Sequence, residues 1–151
     1  MKPSKKLIAA AFAALAMTGA QAADNHSITV RADVAGTCKF QSATSQIDLT
    51  VDPSAAGNAT GNGSIIYRCT KGTTPVFGLQ SGSTSSTTGG NLSLAGETIP
   101  YTFSSTSGGN GTGMGAGQDK TLGVTVTVNQ ANAADVTPGI YTDTIAITLN
   151  P

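Results

Sequence analysis

The stretch that most constrains this chain is its last one, residues 138–150. Pro138-Gly139 punctuates a turn. Beyond it Tyr141, Asp143, Ile145, Ile147 and Leu149 share one parity, and Ile140, Thr142, Thr144, Ala146 and Thr148 share the other. A bulky face and a Thr-rich face repeating with period 2 predict a strand laid against a core. Such a strand pairs either with an earlier part of the chain or with another molecule. Which of the two holds decides the function.

Similar alternation recurs along the chain. Ile28, Val30, Ala32 and Val34 share one parity, with Thr29, Arg31 and Asp33 on the other. Short strands are predicted at Cys38-Lys39-Phe40 and over residues 46–51. A polar loop rich in Gly and Asn is expected over residues 54–63. Further strands follow at 64–70 (Ile65, Tyr67 and Cys69 inward), 75–79 (Phe77 and Leu79 inward) and 98–103 (Ile99, Tyr101 and Phe103 inward). Residues 91–94 read as a short edge strand, and Pro100 marks an edge or a bulge. Residues 104–118 carry glycine at 108, 109, 111, 113, 115 and 117 and read as an exposed loop. Leu122, Val124, Val126 and Val128 define a clear strand, and residues 131–135 allow one helical turn. About seven or eight strands with turn signals between them predict an all-β, immunoglobulin-like antiparallel sandwich. The composition agrees: 19 glycines, 5% aromatic and 11% charged residues, and no Trp.

The N-terminus has a different pattern. Lys2, Lys5 and Lys6 form a basic patch, followed by an apolar run of eleven residues from Leu7 to Met17. That run is too short for a membrane-spanning helix. Ala20-Gln21-Ala22 has the form of a signal-peptidase site, so residues 1–22 read as a signal peptide cut between Ala22 and Ala23. Removing the three leader lysines from the eight basic residues leaves five against eight acidic ones, a net charge of −3. A weakly acidic chain without basic clusters gives no reason to expect nucleic acid or an anionic membrane as partner. No later apolar run is long enough for membrane insertion. In an exported chain the two cysteines, Cys38 and Cys69, are expected to form a disulfide. A metal site would need further ligands, and His26 is the only histidine.

The residues assemble no catalytic constellation. One histidine gives little basis for a nucleophile–base pair or a zinc or copper centre, and the carboxylates are scattered. No cofactor, metal or catalytic residue is therefore expected. Asp143 is the one carboxylate on the inward parity of a strong strand, and a backbone amide or hydroxyl is its expected partner.

The closing Gly139-Ile-Tyr141-Thr-Asp143-Thr-Ile-Ala-Ile-Thr resembles the last strand of spore coat protein U domains. The same domain builds subunits of archaic, Csu-type chaperone–usher pili. An alternating strand before Cys38, then Tyr67-Arg-Cys69-Thr, Phe77/Leu79 and Ile99-Pro-Tyr101, follow in the family's order. Those domains often carry a Phe-Gly pair between the cysteines, where this chain has Leu49-Thr-Val51-Asp-Pro53. The resemblance implies a sandwich lacking its last strand and completed by donor-strand complementation. The acceptor groove would lie beside Ile145, Ile147 and Leu149. Ile28, Val30, Ala32 and Val34 would be the donor side chains, within an extension at residues 23–34 ahead of a domain at 35–151. Read from the residues alone, 27–34 remains either that donor or an ordinary first strand.

The implied partners are neighbouring subunits joined head to tail, a periplasmic chaperone and an outer-membrane usher. The implied location is the periplasm and then the cell surface, with adhesion or biofilm formation as the role. A spore-coat or envelope protein with the same domain is one alternative. A secreted carbohydrate-binding sandwich is another, although Trp is absent and Tyr67, Tyr101 and Tyr141 all take inward parities.

Overall fold

Alternation decides where the core lies. A computed structural model describes residues 24–43 and 46–151, so the expected leader and its cleavage residues Ala20, Ala22 and Ala23 lie outside them. The chain divides into two units, residues 1–33 and Val34–Pro151. In the second, seven strands form: β1 (Cys38–Ala43), β2 (Asn58–Cys69), β3 (Val76–Ser81), β4 (Gly89–Leu94), β5 (Glu97–Thr106), β6 (Lys120–Asn129) and β7 (Ile145–Asn150). A 3₁₀ turn, Gln130–Ala133, follows β6. One sheet has the order β1-β2-β6-β5-β4 and the other pairs β3 with β7. Every pairing is antiparallel.

The inward parities of the two sheets meet in one core. β6 contributes Leu122, Val124, Val126 and Val128, β2 contributes Ile65, Tyr67 and Cys69, and β5 contributes Ile99, Tyr101 and Phe103. From the smaller sheet Phe77, Leu79, Ile145, Ile147 and Leu149 pack against them. Tyr67 and Phe77 join the layers edge to face, with ring centroids 5.0 Å apart. The Tyr67 hydroxyl donates to the Gly109 carbonyl at 2.7 Å, so its polar end is satisfied while its ring is fully buried. Cys38 and Cys69 face each other across β1 and β2 and form the disulfide.

The structure corrects several expectations, each for a tertiary reason. Residues 58–63 are not loop but the first half of β2, paired residue for residue with β6 from Asn129 to Val124. A strong partner strand carries a Gly/Asn-rich segment that has little strand preference of its own. Residues 46–51 keep their alternating burial but form no ladder. Residues 24–37 also form no strand, and all are exposed. The glycine loop after β5 is not wholly exposed. Gly111 is buried against Cys69, its amide donates to the Thr73 carbonyl, and its carbonyl accepts from the Gly72 amide. Pro100 does lie where a ladder stops: β5 pairs with β6 only from Thr102 onward, so its missing N–H leaves no gap there.

The disulfide closes a sequence separation of 31 residues, which in the chain-entropy picture corresponds to about 3–4 kcal/mol. Replacing both cysteines by serine is expected to lower the unfolding free energy by about that amount, read from urea titrations, with a steeper slope because the unlinked denatured chain exposes more surface.

Candidate acceptor groove

The smaller sheet stops at two strands, and β7 is paired on one side only. Opposite its open edge runs the segment 46–51, with Ile47, Leu49 and Val51 packed against the core. Between them lies an open groove of about 1050 Å³. Its floor is the core itself: Ile65, Ile99, Tyr101, Val124 and Val126 line it, with Ile47, Leu49 and Val51 on one wall and Ile145 and Ile147 on the other.

Glycine chemistry places the first wall. After β1 the chain leaves the larger sheet and crosses the inner face of β2. A Cβ on Gly61 would lie 2.6 Å from Ile47 Cγ2 and 3.0 Å from the Asp48 carbonyl oxygen, so only glycine lets the segment pass. The end of the wall is held by Gln130, whose side-chain oxygen accepts from the Asp52 amide at 3.0 Å and whose backbone amide donates to Gly57 at 3.0 Å.

The second wall is held by a strap, residues 136–144, that crosses from the larger sheet into β7. Ser93 and Thr142 exchange backbone hydrogen bonds of 2.9 and 3.2 Å, tying the strap to the edge of β4. Glu97 Oε2 accepts from the Thr137 amide at 2.9 Å and from the Tyr141 hydroxyl at 2.7 Å. That pairing with Tyr141 and then Thr137 holds the Glu97 carboxyl below its ordinary value. Burial first, and then Glu97, raise the Tyr141 hydroxyl.

Asp143 is the knot between strap and core. Its Oδ2 accepts from Ser81 Oγ at 2.7 Å, Ser83 Oγ at 2.7 Å and the Tyr101 hydroxyl at 2.8 Å. Its Oδ1 accepts from the Thr144 amide at 2.8 Å. Burial pushes this carboxyl up, but the donors outweigh it and the net shift is downward. The Tyr101 hydroxyl is pushed up to about 12, mainly by burial and also by the neighbouring carboxylate. The inward Asp143 is thus satisfied by hydroxyls and one amide. Gly90 makes room for it, since a Cβ there would meet Ser81 Oγ and Asp143 Oδ2.

Of the residues singled out from sequence, Ile145 and Ile147 line the groove, while Leu149 packs at the paired end opposite Phe77. Ile28, Val30 and Val34 are 83%, 89% and 81% exposed, and Ala32 is exposed between them. Sequence reasoning missed the other wall and the strap. Alternation at 46–51 was visible, but nothing local says that a strand will lack a neighbour. Among the described residues no group of His, Cys, Asp and Glu could hold a metal, and no helix is long and apolar enough to cross a membrane.

The model of the Spore Coat Protein U domain matches residues 24–148. The chain belongs to that family, one of chaperone–usher, fimbrial-type structural subunits rather than of enzymes. No curated protein and no solved structure gives a significant match.

The Asp143 knot makes a pH-dependent prediction. Its folded carboxyl is depressed below the ordinary value of 3.8, so its contribution is complete above that value and is lost as pH falls through the folded one. Asp143→Asn presents an amide N–H₂ or a single acceptor to three hydroxyl donors. It is expected to cost about 1–3 kcal/mol at neutral pH. That gap between wild type and variant, measured by urea unfolding, should narrow below pH 3.8. A gap independent of pH would show that the carboxylate charge is not what binds the cluster.

Proposed function

We propose that this chain is a structural subunit of a cell-surface fimbria, assembled by donor-strand exchange along the chaperone–usher pathway. One observation carries the reading. The chain has both an apolar groove with an unpaired strand edge and, elsewhere, an exposed stripe of matching apolar residues at period 2. A strand inserted beside β7 would pair with its free backbone groups and bury alternate side chains on the groove floor, which is β-augmentation. Residues 27–34, with Ile28, Val30, Ala32 and Val34 inward, are the donor of one subunit. The groove beside Ile145 and Ile147 is the acceptor of the next. Fully burying the three large aliphatic side chains gives an upper estimate of roughly 5–9 kcal/mol before ordering costs.

The contact is head to tail and does not close on itself, so it propagates as a filament. Residues 1–22 direct export, and the extension at 23–34 precedes the domain at 35–151. A periplasmic chaperone supplies a temporary strand to the groove. The outer-membrane usher exchanges that strand for the next subunit's extension, and the finished fibre supports adhesion or biofilm formation at the surface. The disulfide fits an oxidising compartment.

Deleting residues 23–34 and co-expressing the cognate chaperone tests the reading, with size-exclusion chromatography and electron microscopy as readouts. The expected outcome is a soluble chaperone complex that forms no fibres, against fibres from the full chain. Loss of the domain's own fold would make 27–34 an internal strand and overturn the donor assignment.

A further inference from the structure

An apolar groove alone does not decide where an inserted strand stops. Ile28, Val30, Ala32 and Val34 repeat every two residues, so sliding by two keeps an apolar residue inward at nearly every position. Register must come from the outward-facing side chains. In the extension these are Thr29, Arg31 and Asp33. On one wall of the groove they are Gln46, Asp48 and Thr50, all exposed, and on β7 they are Ala146, Thr148 and Asn150, also exposed. Asp48 is the one charged side chain among those six.

We propose that Arg31 of one copy pairs with Asp48 of a second copy, and that this ion pair selects a single register for the inserted strand. The proposal rests on the groove being the site of the second copy's extension. Directly opposed residues on neighbouring strands bring their Cβ atoms to about 4.5–5.5 Å, within reach of a guanidinium and a carboxylate. With Arg31 beside Asp48, Asp33 falls beside Thr50 or Gln46 in either strand direction, and both can donate a hydrogen bond. A slip of two residues one way sets Asp33 against Asp48, a like-charge pair that opposes insertion. A slip the other way sets Thr29 there and forfeits the ion pair. The three registers therefore differ in charge although their apolar contacts are nearly alike.

Both partners are free to meet. Arg31 contacts Asp33 at 2.9 Å, with side chains 81% and 79% exposed, and so exposed a pair opens at little cost. The Asp48 carboxylate accepts from the Gln46 side-chain amide and keeps acceptor capacity for a guanidinium.

The test is a charge-reversal cycle. The monomeric fraction of the full chain, wild type or Asp48→Lys, is titrated with labelled synthetic peptides of residues 24–35, wild type or Arg31→Glu, by fluorescence polarisation. Each single reversal is expected to weaken binding about two- to fivefold, and the double reversal to recover most of the loss. The coupling should disappear near 1 M salt, where the screening length is ~3 Å. Losses that merely add, or no change at all, would overturn the pairing while leaving the groove reading intact. A control peptide with Val30→Asp separates the two: if it binds as well as wild type, or if the wild-type peptide does not bind, the groove reading fails and the pairing with it.

Discussion

A β-sandwich must cover both faces of its core, and here the smaller sheet covers only part of the larger one. Five strands form one layer and two form the other. A two-stranded ribbon is marginal by itself and depends on the surface it packs against. Beside β7 that surface continues under open space, with Ile65, Ile99, Val124 and Val126 at the bottom of the groove. Those side chains are placed as core by the same alternation that buries their neighbours. The groove is therefore an open stretch of the core itself, not a surface cleft added beside it.

Left to hydrophobic collapse alone, such a gap would close. The wall at 46–51 and the edge of β7 would come together and share the missing ladder. Both are restrained at their ends. The first wall is fixed by the disulfide-linked start of β1, by the seat of Ile47 over Gly61 and by Gln130 at Asp52. β7 is fixed by its full-length pairing with β3 and by the strap's exchange of hydrogen bonds with Ser93. Closing the gap would break satisfied polar contacts in exchange for apolar ones. A strand inserted there, as proposed above, would supply the apolar contacts without that loss.

How much of this the sequence revealed follows from which interactions are local. β6 and the inward halves of β2 and β5 were plain, because period 2 in Val, Ile, Tyr and Phe reports a face against a core whatever the neighbour is. The cysteine pair was also plain. Residues 58–63 were misread because their strand character belongs to β6, which pairs with them, and not to their own Asn and Gly side chains. Within the groove, Ile145 and Ile147 were legible. The opposite wall was not, since a strand with a partner and one without carry the same alternation. The strap was hidden for a related reason. Tyr141 and Asp143 continue the parity of β7, yet they make their contacts with Glu97, Ser81, Ser83 and Tyr101, which no local pattern links to them.

Asp143 shows why a polar residue belongs on the inward parity here. An aliphatic side chain at 143 would add apolar contact but could satisfy none of the hydroxyls that converge on this point. Tyr101 stands on the groove floor, Ser81 ends β3, and Thr144 leads into β7. One carboxylate accepting from all three fixes the start of β7 relative to both sheets, and hydrogen bonds of fixed geometry do so more narrowly than apolar packing would. The open edge is thereby held at a set distance from the opposite wall. For a groove proposed to receive a strand, that spacing matters as much as the apolar floor. Backbone pairing tolerates only a narrow range of strand separations, near 4.7–4.9 Å on each side of an inserted strand.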